Sequence, residues 1–64
     1  MVFKGFIIKR SPATLSTPES EELLVEDTIL ATSEYEALIK ITLRNRDKIT
    51  YDKNDILLFS WQKH

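Results

Sequence analysis

The sequence predicts an α+β fold: a small, mainly antiparallel sheet in the order β-β-α-β-β, with one helix on one face. Two observations carry it. Four short apolar segments rich in Ile, Val, Leu and Phe are separated by turn-forming residues, as strands are. Between the second and third lies a stretch that opens with a helix-capping pattern and ends in arginines.

The first strand is expected over residues 2–10 (VFKGFIIKR), closed by Ser11-Pro12. Residues 11–22 (SPATLSTPESEE) hold both prolines and are rich in Ser, Thr and Glu, which makes them a long loop. Residues 23–31 (LLVEDTILA) give the second strand, with a bulge or bend at Glu26-Asp27 to keep both charges out of the core. Ser33 followed by Glu36 matches a capping box. Glu34 and Glu36 suit the positive end of a helix dipole, and Arg44 and Arg46 the negative end. A helix over 34–45 follows, with Tyr35, Leu38, Ile39 and Thr42 on one face, flanked by Ile41 and Leu43. Residues 39–44 also alternate like a strand, but cap and dipole favour the helix. Residues 48–51 (KITY) read as a third strand, Asp52 to Asp55 as a turn, and residues 56–62 (ILLFSWQ) as the last strand of a hairpin. Were the helix instead a strand, the alternative would be an all-β barrel of SH3-like or OB-like kind.

The 64 residues suffice for one small domain, 1–64, with a marginal core. There is no cysteine, hence neither a disulfide framework nor a Cys-based zinc site. A net charge of −1 draws the chain neither to nucleic acid nor to an anionic membrane. The longest aliphatic–aromatic run is Ile56 to Phe59, far short of a membrane span. The start, MVFKGFIIKR, is too short in its apolar part for a signal peptide and leads into Lys9-Arg10. A complete cytoplasmic chain with no membrane association is expected.

Catalytic machinery is not expected either. The one histidine, His64, stands at the end of the sequence, where an imidazole is poorly held. Without cysteine no Ser-His or Cys-His pair suggests itself, and a single glycine, Gly5, excludes the phosphate-cradling fingerprints. Gly5 inside a strand suggests a bulge or a close approach of another group. Glu21-Glu22, Glu26-Asp27 and Glu34/Glu36 have structural explanations as loop, bend and helix cap. Asp52, Asn54 and Asp55 lack the glycine and distal glutamate of a calcium loop. No cofactor and no metal are expected.

The informative feature is the patterning of the strands. A sheet covered on one side alternates apolar and polar residues. Here Phe6 and Ile8 oppose Phe3 and Ile7, while Ile56 and Leu58 oppose Leu57, Phe59 and Trp61, so both faces are apolar. One helix can cover only one of them. The other would be covered by the 11–22 loop with Leu15 folding back, by a second copy, or by a foreign partner. The expected protein interface consists of Phe3, Ile7, Leu57, Phe59 and Trp61.

Charge is segregated as well. Residues 19–27 hold five acids and no base, whereas 40–53 hold Lys40, Arg44, Arg46, Lys48 and Lys53 against Asp47 and Asp52. The two segments could meet across a dimer and set its register. The sequence thus points to a non-enzymatic interaction module, a small inhibitor, adaptor or regulator of a larger protein. By analogy of size alone, mobile-element proteins that modify host machinery are of this kind. The alternatives are a nucleic-acid-binding protein using Arg44, Arg46, Lys48, Tyr51 and Lys53, and a structural homo-oligomer subunit.

Overall fold

The structure, a computed structural model, describes residues 1–63. Strand β1 (Val2–Ser11) and strand β2 (Ser20–Leu30) form a long hairpin, helix α1 (Glu34–Arg44) follows, a 3₁₀ turn covers Arg46–Lys48, and strand β3 (Ile56–Lys63) is the last of the described elements. The three strands form one open antiparallel sheet in the order β2-β1-β3. The antiparallel sheet and single helix are as expected, but the order is β-β-α-β: the strand expected over 48–51 is absent, and the sheet does not close into a barrel. The physical reason is local: the segment before β3 is drawn into the helix end and the core, and β3 takes its hydrogen bonds from β1. Residues 46–48 instead continue the helix end in a tighter turn, and Ile49 packs against the core. The turn at Asp52–Asp55 does form. The Asp55 N–H donates to the Asp52 carbonyl at 3.0 Å and the Asp52 N–H to Asp55 Oδ2 at 2.8 Å. It needs no left-handed residue: among the described residues no non-glycine φ is positive.

β2 and β3 flank β1 and run in the same direction, so the chain between them must cross one face of the sheet. α1 lies on that crossover, which is why one face is covered and the other is not. Cross-strand partners share a face. On the covered face lie Phe3, Gly5 and Ile7 of β1, Val25, Asp27 and Ile29 of β2, and Leu57, Phe59 and Trp61 of β3. The core is Phe3, Ile7, Val25, Ile29 and Ala31 under Ala37 and Ile41 of the helix, with Leu24, Ile49, Leu57 and Trp61 packed at its margin.

The helix starts where the sequence placed it. Ser33 is extended, and its Oγ accepts the Glu36 N–H at 3.1 Å. The reciprocal half of the capping box is replaced: the Glu36 carboxylate takes the Thr32 hydroxyl at 2.7 Å and Lys40 Nζ at 2.9 Å. The buried face differs from the expected one. Ala37 and Ile41 point inward, whereas Tyr35, Ile39 and Leu43 are exposed. Ala37 fits because a small residue lets the helix backbone approach the sheet closely.

The expected bulge at Glu26-Asp27 lies elsewhere. Ile7 pairs with Val25 and Ile8 with Leu23, so Leu24 is the extra residue, and its side chain joins the core margin. Past the bulge, Lys9 faces Glu22 and Arg10 faces Glu21. Without that one-residue shift each pair would be out of register. Among the described residues no helix is long and apolar enough to cross a membrane.

Candidate functional site: an open apolar sheet face

The face away from the helix carries Val2, Lys4, Phe6, Ile8 and Arg10 of β1, Glu21, Leu23, Glu26, Thr28 and Leu30 of β2, and Ile56, Leu58, Ser60 and Gln62 of β3. Ladder register explains its centre. Ile8 pairs with Leu23 on one side and Leu58 on the other, so an aliphatic row crosses all three strands. Phe6 lies next to that row on β1, and Ile56 next to it on β3. Leu23, Ile56 and Leu30 are exposed, while Phe6, Ile8 and Leu58 are half-buried.

Ion pairs border the row. Lys4 Nζ lies 3.7 Å from Glu26 and Arg10 3.3 Å from Glu21, and Lys4 also sits over the Phe6 ring at 5.8 Å. An apolar centre with a polar, internally paired rim is the anatomy of a protein interface. The loop does not cover it. Thr14 Oγ1 accepts the N–H groups of Ser16 and Thr17, and Thr14 N–H donates to the Thr17 carbonyl at 2.8 Å. This holds 14–17 as a compact turn with Leu15 fully exposed at its tip.

The expected interface residues divide. Phe3 and Ile7 are correctly read as facing one way but are fully buried under the helix, so they belong to the core and present nothing to a partner. Trp61 meets Phe3 edge-on at 6.2 Å and is half-buried, as is Leu57; Phe59 is exposed on the edge strand. The face that stays open is the opposite one, through Phe6, Ile8, Leu23, Ile56 and Leu58. Alternation revealed two apolar faces; which one the helix takes depends on the crossover, a long-range property.

The expected nucleic-acid contacts are also placed. Arg44 lies 3.5 Å from Asp27, and Asp27 Oδ2 also accepts the amide of Asn45 at 3.0 Å. Asn45, buried at the helix end and donating as well to the Ile41 carbonyl at 2.9 Å, is a structural residue that sequence reasoning missed. Arg46 and Lys48 lie on the 3₁₀ turn and Lys53 in the following turn. Tyr51 lines a shallow open hollow with Lys9, Thr50, Asp52 and Asp55, where two carboxylates oppose a phosphate. Each of the five acids of the acidic segment has an ion-pair partner within the chain, among Lys4, Lys9, Arg10 and Arg44, so the segment is not held in reserve for a basic segment elsewhere.

Among the described residues no group of three or more His, Cys, Asp or Glu could hold a metal ion. His64 lies outside the described residues. Comparison of the chain with protein-family models, with curated proteins and with solved structures finds no match.

Proposed function

We propose that the protein is a non-enzymatic protein-interaction module, a small inhibitor, adaptor or regulator that docks on a larger protein. One observation carries the reading: most of its exposed apolar side chains are gathered in two sets on opposite sides of the molecule. One set is the open sheet face. The other is the outer stripe of α1, where Tyr35 and Leu43 are 74% and 63% exposed and Ile39 lies between them. Positions i, i+4 and i+8 lie along one side of a helix and form the kind of ridge that fits a partner's groove. Patches of this kind on a small chain mark interaction surfaces. The sequence supports the non-enzymatic part, since it has no cysteine and only one histidine.

The test is capture from cell extract on immobilised protein, compared with Leu43→Lys and Ile8→Lys. Saturable capture of a defined protein, weakened about tenfold or more by at least one of the two variants, is the expected result. Capture that neither folded variant alters would sink the reading.

A further inference from the structure

We infer that the open sheet face is the contact between two copies of this chain, packed sheet on sheet with the helices outward. This rests on reading the protein as an interaction module, and it assigns one of the two apolar surfaces: the sheet face to self-association, which leaves the helix stripe for the larger partner.

The structure removes the cover that the chain itself could supply, because the Thr14-centred turn directs Leu15 away into solvent. What remains is an elongated molecule, 44 by 21 by 15 Å, whose projecting hairpin and open sheet face both add surface. The radius of gyration is 13.2 Å, against about 10.7 Å for a compact chain of this length. The accessible surface is 4733 Å², roughly 500 Å² above that of a compact monomer of this mass. The sheet is three strands wide over the eight-residue ladder from Phe3 to Arg10, about 26 by 14 Å, and with the β1–β2 pairs beyond it the face is roughly 430 Å². Two such faces brought together bury on the order of 850 Å², the scale of a weak, reversible contact rather than a permanent one.

Charge selects the occupant. Lys4 and Arg10 on this face are matched by Glu26 and Glu21, so the face is neutral. A second copy always presents the same net charge, and only a neutral face meets its own image without repulsion. Stability points the same way. Among the described residues only Phe3, Ile7, Ile29 and Ile41 are large and fully buried, and the sequence has no cysteine for a disulfide. Oligomerisation is one of the few staples open to so small a chain, and a second copy is present whenever the first one is. Ile8 is the central-strand member of the row Leu23–Ile8–Leu58, just past the midpoint of β1. An isologous contact across that row therefore brings the Ile8 side chains of the two copies near the two-fold axis.

Light scattering of the eluting protein should give twice the 7.5 kDa of one chain, and the thermal midpoint should rise with protein concentration, as it does when association stabilises the fold. Ile8→Lys and Ile8→Glu should each weaken association at least about 100-fold, an equimolar mixture of the two should re-associate, and Leu43→Lys should remain dimeric. A monomeric wild type with a concentration-independent midpoint overturns the proposal, whether or not the variants fold. A dimer that persists in Ile8→Lys also overturns it and moves the contact to the outer edge of β3. The two readings fail separately. Monomeric protein whose extract capture is lost in Ile8→Lys keeps the interaction module and gives the sheet face to a foreign protein. A dimer broken at Ile8 with no capture at the helix stripe keeps the second copy and removes the larger partner.

Discussion

At Gly5 three elements meet. It lies in the middle of β1, opposite Trp61 of β3 and Asp27 of β2, and a Cβ there would overlap the Trp61 ring and come within 2.8 Å of Ile41 Cδ1 of the helix. The missing side chain is what lets the indole lie across the central strand against Phe3. Gly5→Ala should therefore destabilise the protein by about 1–3 kcal/mol through overpacking, read as a lowered midpoint in thermal denaturation. An unchanged midpoint would mean that the ring is free to move aside. The sequence showed that something must approach Gly5 but not what, since the partner lies more than fifty positions away. Asn45 was illegible for a related reason. Its amide bonds the Ile41 carbonyl locally, but the Asp27 carboxylate that fixes its role comes from another element.

Helix α1 shows what local chemistry can and cannot determine. Its start was legible because Ser33 satisfies a backbone N–H within its own turn. Its inward face was not, because Tyr35, Ile39 and Leu43 form as good an apolar stripe as Ala37 and Ile41, and only the close approach to the sheet favours the smaller residues. The pairs at the helix start titrate. The Thr32 hydroxyl, and after it Lys40, hold the Glu36 carboxyl below its usual range. A carboxylate with a lowered folded pKa contributes stability that is fully present above its unfolded value and is lost as the pH falls through the lowered one. Thr32→Val should move the Glu36 titration, followed by NMR of the side-chain carboxyl carbon, back towards higher pH. No movement would show that Lys40 alone sets it. The two edge strands differ too: β2 carries Glu21, Glu22, Glu26 and Asp27, charges that discourage pairing with further strands, while β3 has no charge from Ile56 to Gln62.

For the molecule as a whole, the antiparallel sheet, the single helix and the excess of apolar strand residue were legible because period-two alternation is local. Strand order was not. The expected 48–51 strand would have given β3 a near neighbour in a hairpin, and its absence sends β3 across the molecule to β1 instead. Residues 56–63 are therefore required for the fold and do not merely decorate an edge. A chain ending at Asp55 leaves β1 and β2 as a two-stranded hairpin without Trp61 or Leu57 at the core margin, and such hairpins are marginal in water. That chain should lose cooperative unfolding, as measured by circular dichroism on heating. A retained sigmoidal transition would mean that hairpin and helix suffice.

The order β2-β1-β3 also has a consequence in time. A ribosome delivers the central strand before either neighbour and β3 well after β2, and pairing β1 with β3 closes a loop of roughly fifty residues, far slower than zipping the hairpin. Until the last strand docks, the aliphatic row is one residue short, with Leu23 and Ile8 in place and Leu58 still to come. On the proposed sheet-on-sheet contact, two copies would not recognise one another through an unfinished row, so assembly would wait for β3 to dock.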